Sequence, residues 1–300
     1  MGRRWSHPGG TSAIALSVDV EEYFQVNAFH PWIRREEWSA FPTRVVASTE
    51  KVLDLFDEYG AKGTFFFLGW IAEKYPGLVK EVAARGHEIG SHGYGHEIIY
   101  HIGRQKFSED ITISKTILEN LTGSKVRGYR APSYSITNSC LWALDELVKA
   151  GYEYDSSIFP IYHDTYGVPN AKRFPYFFHG ASGSIVEFPI STVRIGSLNI
   201  PAGGGGYMRL FPLPVLKFFF RRIHRKEGMP ALLYFHPWEL DPGQPRFSFS
   251  LKSRLRHYLN LETMEGKVRG LLQEFTFSPL HDVVEEVRSS LVLSETIQDR

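Results

Sequence analysis

Cysteine, excess charge of one sign and long apolar runs are all scarce in this 300-residue sequence. The one cysteine, Cys140, excludes an intramolecular disulfide and a thiolate cluster, so any metal ligands must be histidine, aspartate or glutamate. The formal net charge of +1 argues against a nucleic-acid partner bound by bulk electrostatics. We therefore expect no nucleic acid among the partners, whereas the oligomeric state stays open.

No segment is both long and uncharged enough to span a bilayer. The nearest candidate, residues 210–223, is interrupted by two prolines and three cations. It is better interpreted as a core-packed helix whose basic end can touch a membrane surface. The first ten residues are basic but lack the apolar stretch of a secretory signal. We therefore expect a cytoplasmic protein, associated at most peripherally with the inner face of the membrane.

Strand and helix patterns alternate along most of the chain. Strands are predicted at 11–24, where the strand has an acidic end, and at 64–69, 87–90, 126–129, 152–155, 185–188 and 231–235, with an extended piece at 275–277. Helices are predicted at 43–59, 73–85, 108–121, 138–149 and 211–226, and residues 156–184 are expected to be rich in loops. This order favours an α/β fold with a parallel sheet and outer helices, closed or partly closed as a barrel.

The first strand runs directly into three carboxylates, Asp19, Glu21 and Glu22. Ionised carboxylates near a core need a partner such as a metal, an arginine or water. Asp19 and Glu21 are two residues apart and point to the same face of a strand, so that one can act as a base and the other as a metal ligand. Glu22 is the reserve ligand if the strand ends early.

Polar residues follow three further predicted strands. His92 and His96 lie in a glycine-bearing turn and can converge on one ion, and two histidines with one carboxylate form a plausible catalytic metal site. Arg130 follows the strand at 126–129, where its guanidinium can fix the orientation of Asp19. His236 follows the strand at 231–235 and can act as a general acid. Since the chemistry of such folds lies at the carboxyl ends of strands, we expect these groups to meet at one rim.

This order of polar clusters resembles the polysaccharide deacetylase family with the NodB homology domain, carbohydrate esterase family 4. The similarity covers most of residues 14–240. The stretches 18–24, 130–134 and 154–160 are similar to the branch encoded in exosortase-linked exopolysaccharide clusters. The resemblance implies a distorted (β/α) barrel with about seven parallel strands at 14–240, a tail at 1–13, and a C-terminal extension at 241–300 packed on the barrel.

The resemblance also implies a metal-dependent hydrolase that removes N-acetyl groups from the amino sugars of a polysaccharide or its lipid-linked precursor. The family's usual Asp-Asp pair is interrupted by Val20, and the ligand position therefore moves to Glu21. The implied ligands of a divalent ion, with Zn²⁺ expected, are Glu21, His92 and His96. Asp19 is then the base, and a backbone N–H near Tyr134 is expected to help stabilise the oxyanion.

The resemblance implies roles for further residues as well. His236 is the acid, and Asp155 is the nearest candidate for the carboxylate that supports it or for a residue of the substrate groove. Tyr134, Trp238 and Tyr207 are expected to contact the sugar, and the glycine-rich stretch 201–207 is expected to line the groove.

Three alternatives stay open. A metal-poor, allantoinase-like hydrolase of cyclic amides would suit the altered Asp-Val-Glu sequence. An Fe(II) oxygenase would also use two histidines and a carboxylate. A glycan-binding protein with a decayed site would keep the groove without the chemistry.

Overall fold

The computed structural model describes residues 14–298, which form one curled eight-stranded sheet, a two-stranded hairpin and surrounding helices. The strands are β1 (Ile14–Val20), β2 (Thr64–Phe67), β3 (Glu88–Ser91), β4 (Gly128–Tyr129), β5 (Tyr154–Asp155), β6 (Tyr176–Gly180), β7 (Gly183–Glu187), β8 (Thr192–Ile195), β9 (Leu198–Pro201) and β10 (Ala231–Phe235). The α-helices are α1 (Val45–Glu58), α2 (Gly69–Lys74), α3 (Pro76–Ala84), α4 (Ile99–Thr122), α5 (Trp142–Lys149), α6 (Gly205–Leu210), α7 (Leu213–Arg221), α8 (Leu251–Tyr258), α9 (Met264–Leu272) and α10 (Leu280–Gln298).

Seven strands of the sheet run parallel, in the order β10–β1–β2–β3–β4–β5–β7, and β6 is antiparallel at the edge beside β7. Every residue of β1 is buried, as the apolar pattern of a central parallel strand requires. The prediction of an α/β barrel with about seven parallel strands and outer helices is confirmed. The carboxyl ends of β1, β3, β4 and β10 therefore meet at one rim, as expected.

Several predicted element boundaries were wrong. The helix predicted at 73–85 is two helices, because Pro76 begins α3 and keeps Tyr75 out of the helical region, at φ −130° and ψ 61°. The helix predicted at 108–121 starts nine residues earlier, beyond a kink at Gly103. The loop-rich stretch contains β6, and the hairpin β8–β9 was missed.

The glycine-rich stretch 201–207 packs against β10 and begins α6, and its predicted place along a substrate groove stays a prediction. Tyr234 N–H donates to Gly203 O at 2.7 Å, and Gly204 forms a parallel bridge to Tyr234. Gly204 has φ +148°, and a Cβ there would lie 1.6 Å from Tyr234 O. Glycine is therefore required because the two backbones touch.

The predicted core-packed helix at 211–226 corresponds to α7 and a following π-helical turn, Arg222–Glu227. Its buried face carries Leu216, Phe219 and Phe220. Across the described part of the chain, every helix is too short or too polar to cross a bilayer.

Residues after 240 lie against the barrel. Ser278 hydrogen-bonds β1 through Ile14 O and Leu16 N, at 3.1 and 3.0 Å. It takes the edge of β1 that β2 leaves free, because the β1–β2 pairing begins only at Ser17. Near the predicted extended piece, α10 packs against β1. The domain division at residue 240 stays a prediction, and the predicted tail at 1–13 lies outside the described residues.

Candidate active site

The carboxylate of Asp19 lies at the end of β1 and is held by Arg130, which follows β4. Arg130 Nη1 donates to Asp19 Oδ1 and to Ser17 Oγ, both at 2.7 Å. The other nitrogens of the guanidinium donate to Ser156, to its carbonyl from Nε and to its hydroxyl from Nη2, each at 3.0 Å. Both charged groups are buried. Arg130 therefore fixes one oxygen of Asp19 and leaves Oδ2 directed toward the site.

Glu21, His92 and His96 meet beside Asp19. One ligand atom from each lies within 4.8 Å of the others, and all three side chains are buried. Glu21 Oε2 is 2.8 Å from His96 Nε2 and 4.0 Å from His92 Nε2. His92 Nδ1 lies 2.8 Å from Arg130 O and can donate to it, which leaves Nε2 as a lone-pair donor toward Glu21. The three predicted ligands are thus brought together.

The chemistry of these atoms fits a divalent cation. Glu21 Oε2 is buried and has no hydrogen-bond partner among the described residues, although it lies 2.8 Å from His96 Nε2. Burial lowers the pKa of His92 to about 4, so its ring is neutral and can coordinate. Burial alone would raise the pKa of Glu21, but His96 and His236 outweigh it and hold that pKa well below its ordinary value. A carboxylate and two imidazoles suit Zn²⁺ or Fe²⁺.

His236 follows β10 and faces the same space. Its Nε2 lies 3.6 Å from Glu21 Oε1 and 3.9 Å from Asp19 Oδ2, and its Nδ1 lies 3.0 Å from Glu239 Oε2. Burial would lower the pKa of His236, but the carboxylates of Glu21 and Glu239 outweigh burial and raise it to about 9. The side chain is 18% exposed, the most open of these groups.

Glu239, which sequence reasoning missed, supports His236. Its carboxylate also pairs with Arg209, with Nε 2.7 Å from Oε1. Burial would raise the pKa of Glu239, but Arg209 and His236 lower it to about 2. The available signal was the spacing: a carboxylate three residues after His236 can fold back across a short helical turn to the histidine N–H.

Asp155, the predicted support, is corrected. Its carboxylate is fully buried and accepts hydrogen bonds from the Ser157 hydroxyl at 2.6 Å and the Ser157 N–H at 3.1 Å. The Ser157 hydroxyl in turn accepts the N–H of Ala131, at 2.8 Å. Asp155 therefore fixes the turn after β4 instead of contacting His236, and it has no exposed surface with which to bind a sugar.

Tyr134 lies at the site, but its backbone N–H is already used. That N–H donates to Ala131 O at 3.0 Å, so the oxyanion donor predicted near Tyr134 would be another backbone N–H, and that role stays a prediction. The hydroxyl lies 3.5 Å from Asp19 Oδ2. Ser133 and Tyr134 both have positive φ, 52° and 54°, and such strain at non-glycine residues is concentrated at functional sites.

Trp238 is 5% exposed and is not an open platform for a sugar. Its Nε1 donates to Glu21 Oε1 at 3.0 Å, and its ring stacks on His236 and His257. Its observed role is thus to hold Glu21. Tyr207 is half-buried on α6 and packs edge-on against Phe159, so its contact with substrate stays a prediction.

Glu22 points away from the three ligand atoms. It accepts hydrogen bonds from the Thr43 hydroxyl and from the Arg44 N–H, the latter at 3.0 and 3.1 Å. It therefore binds the first turn of α1, and its predicted place as a reserve ligand is not what the structure shows.

Comparison with known families matches this arrangement. Residues 38–154 match the family model described as polysaccharide deacetylase. This chain contains a polysaccharide deacetylase domain. Residues 156–285 match a second model, described as a domain of unknown function, DUF3473. Neither matched range includes Asp19 or Glu21, whereas His92, His96 and Arg130 fall in the first and His236 falls in the second.

Curated relatives are similar over part of their length. A peptidoglycan-N-acetylglucosamine deacetylase of Bacillus cereus is 35% identical over 99 residues, which is 33% of this chain and 36% of that protein. A peptidoglycan deacetylase of Helicobacter pylori is 31% identical over 108 residues, 36% of each. A chitin deacetylase of Pestalotiopsis is 35% identical over 109 residues, 35% of this chain and 36% of the relative. The chain thus matches about a third of the length of these proteins.

Solved structures share the fold over nearly the whole chain. One from Mycobacterium smegmatis, assigned to the polysaccharide deacetylases, has a TM-score of 0.61 at 19% identity and covers 96% of this chain and 94% of its own. The Puue allantoinase has a TM-score of 0.59 at 15% identity, covering 94% and 93%. At these identities the likeness establishes the NodB-type barrel and no more.

Proposed function

We propose that this protein is a metal-dependent N-deacetylase that hydrolyses N-acetyl groups on the amino sugars of a polysaccharide. The observation that carries the proposal is the convergence of Asp19 Oδ2 and His236 Nε2, 3.9 Å apart, beside the ligand atoms of Glu21, His92 and His96. A base and an acid that share one site with a metal-ligand set suit the hydrolysis of an amide bond.

Glu21, His92 and His96 would hold the divalent ion, with Zn²⁺ expected. When bound there, it supplies Lewis-acid polarisation of the acetyl carbonyl and a lower pKa for water. The donor set and the unpaired, buried Glu21 Oε2 support this assignment.

The residues of the chain divide the proton transfers between them. Asp19 Oδ2 accepts a proton from the attacking water, while Arg130 keeps the carboxylate oriented through Oδ1. His236 Nε2 gives a proton to the amine nitrogen as the carbon–nitrogen bond breaks, and Glu239 holds the opposite ring nitrogen. One water and one N-acetyl group thus yield acetate and a free amino sugar.

The deciding experiment is acetate release from a panel of N-acetylated oligosaccharides, with and without chelator and added Zn²⁺. We expect release that the chelator abolishes and Zn²⁺ restores, and a loss of about 100-fold or more in Asp19→Asn, as expected for removal of a general base. If no acetate is released from any substrate, and the wild type and Asp19→Asn bind sugar equally well, the protein is a glycan-binding protein and not a deacetylase. Hydrolysis of cyclic amides that survives chelation would favour the allantoinase-like alternative.

We further propose that the enzyme works on an exopolysaccharide or its lipid-linked precursor from the cytoplasmic side. A basic surface at the end of α7 supports peripheral membrane contact, because Phe218 is 52% exposed beside exposed Arg221, Arg225 and Lys226. Sedimentation with anionic lipid vesicles, lost in Arg225→Glu with Lys226→Glu, is the expected result. Recovery of the cellular protein only outside the inner membrane would contradict it.

A further inference from the structure

The segment after residue 240 contacts the candidate active site although it supplies none of the groups assigned to the reaction. It reaches the site along two lines, one through Arg209 and one through His257. Both side chains are buried, with exposures of 3% and 2%. Much of this segment falls in the range that matches the domain of unknown function.

Arg209 is held by the carboxyl end of α8. Its Nη1 donates to His257 O at 2.8 Å and Leu259 O at 3.1 Å, and its Nη2 donates to Arg256 O at 2.7 Å. The last carbonyls of a helix have no partner within the helix and carry its negative partial charge. A guanidinium with five fixed donors satisfies several of them at once.

The Nε–H group of Arg209 orients Glu239, the carboxylate that supports His236. Arg209 Nε donates to Glu239 Oε1 at 2.7 Å. Glu239 Oε2 accepts the backbone N–H of His236 at 3.0 Å and lies 3.0 Å from its Nδ1. This line runs from the end of α8 through two buried charges to the imidazole, and it fixes the proton on Nδ1 and leaves Nε2 facing Asp19.

The second line reaches the metal-ligand side. The ring of His257, in the last turn of α8, stacks on Trp238 with centroids 4.2 Å apart and an angle of 19° between planes. Its Nε2 bonds Gln244 Oε1 at 2.7 Å, which holds the ring in place. Trp238 Nε1 then donates to Glu21 Oε1 at 3.0 Å. His257 thus buttresses the tryptophan that orients one of the three ligands.

We propose that the α8 segment is a positioning element of the active site, in which Arg209 sets the tautomer and aim of His236 and His257 sets the orientation of Glu21. Arg209 and His257 are positioning residues, since both act through another side chain. The role in catalysis rests on the function proposed above, whereas the effect on His236 and on metal affinity does not require turnover.

The first test compares Arg209→Lys with Arg173→Lys. Arg173 is a matched control, because it also bridges a glutamate and a backbone carbonyl, Glu227 Oε2 at 3.0 Å and Thr192 O at 2.5 Å. Lysine keeps the charge but loses the fork. We expect Arg209→Lys to lose about tenfold or more in kcat with little change in KM, as is typical for an outer partner of a catalytic group. Arg173→Lys is expected to keep the wild-type kcat.

The second test reads His236 directly. At a pH above about 9, where the His236 ring carries a single proton, its ¹⁵N shifts should report that proton fixed on Nδ1 in the wild-type protein and a mixture of tautomers in Arg209→Lys. The same tautomer in both proteins, or a wild-type kcat in Arg209→Lys, overturns this line of the proposal. The NMR result stands even if the wild type releases acetate from no glycan, so it separates failure of this inference from failure of the proposed function.

The third test keeps the proposal falsifiable if Arg209→Lys does not fold. His257→Phe keeps a ring stacked on Trp238, whereas His257→Leu does not. Calorimetric titration with Zn²⁺ should show about tenfold weaker binding in His257→Leu and wild-type binding in His257→Phe. Equal Zn²⁺ affinity in wild type and both variants overturns the line through Trp238.

Discussion

Glu21, which is buried, and Glu88, which is half-buried, lie at opposite ends of the parallel strands, one just after β1 and the other at the start of β3. Glu88 accepts hydrogen bonds from the Tyr154 hydroxyl at 2.8 Å, the Thr64 hydroxyl at 2.5 Å and the His281 N–H at 3.0 Å. Glu21 accepts one from Trp238, and its Oε2 has none. Both carboxylate oxygens of Glu88 therefore accept hydrogen bonds, whereas Oε2 of Glu21 accepts none.

Their pKa values move in opposite directions, although burial acts to raise both. Burial raises the pKa of Glu88, and hydroxyl donors oppose that rise only in part. Burial also acts on Glu21, but the imidazoles of His96 and His236 outweigh it and lower the pKa. Burial of a carboxylate therefore does not by itself indicate a metal site. A carboxylate oxygen that has no hydrogen-bond donor and lies beside histidine nitrogens does indicate one.

The largest effect is expected for Glu21→Gln, which we compare with the same substitution at Glu88. Glu21→Gln should lose more than the roughly 10–100-fold in Zn²⁺ affinity and kcat/KM that outer partners cost, because a direct ligand oxygen is replaced. Its thermal stability should also fall, because His96 and His236 favour the charged form of Glu21 in the folded protein and the change removes one partner of a buried ion pair. Calorimetric Zn²⁺ titration, acetate release and thermal unfolding measure the three quantities.

Glu88→Gln is the matched control for that change. We expect wild-type kcat and Zn²⁺ affinity with a lower Tm, because the amide cannot accept all three hydrogen bonds. If the two variants bind Zn²⁺ with equal affinity, the proposed difference between Glu21 as a metal ligand and Glu88 as a structural hydrogen-bond acceptor is wrong.

A third glutamate gives a smaller effect. Glu22→Gln should weaken the start of α1 by about 1 kcal/mol, the usual worth of an N-terminal cap, because Glu22 accepts the Arg44 N–H. Urea unfolding checks the loss of stability. Activity should be kept, and a fall in Zn²⁺ affinity as large as that of Glu21→Gln would restore Glu22 as a ligand.

The smallest effect concerns His87, which directly precedes Glu88 at the amino end of β3. Burial lowers the pKa of His87 to about 4, with Lys62 and Arg85 acting in the same direction and Asp57 opposing them. The unfolded chain binds a proton below about pH 6.5 that the native protein excludes, so stability is full above that pH and falls as pH drops toward 4. The contribution to the slope is at most about 1.4 kcal/mol per pH unit.

His87→Gln should flatten this part of the stability curve, measured by urea unfolding between pH 4 and 7. The exposed His101, changed in the same way, should leave the curve unaltered. An unchanged slope in His87→Gln would show that other groups set the acid sensitivity.

The positions of the site residues followed from the sequence because parallel strands bring their carboxyl ends to one rim. Asp19, Glu21, His92, Arg130 and His236 each follow or end a strand with a clear apolar pattern, and that placement alone predicts that they meet. Their chemical roles stay predictions. The seven-strand barrel was predictable for the same reason, since the alternating patterns span most of the chain.

Contacts that depend on backbone atoms were not predictable. The support of His236 requires Glu239 to be fixed by Arg209, and Arg209 is fixed by carbonyls, which every residue has and no pattern marks. The position of Trp238 beside a motif residue predicts a contact with the sugar, whereas in the structure its indole N–H donates to Glu21. The hairpin β8–β9 was missed because it lies outside the main sheet and has two exposed apolar residues, Ile195 and Leu198.

The bridge from Ser278 to β1 has a consequence for the time at which the site forms. The strand that carries Asp19 is completed by partners far along the chain, β10 on one side and, below Ser17 on the other side, Ser278. Contacts between residues so far apart in sequence close slowly. We therefore expect the strand that carries Asp19 to be completed late in folding, after the more local pairing of β2 with β3, which precedes the two histidines, has formed.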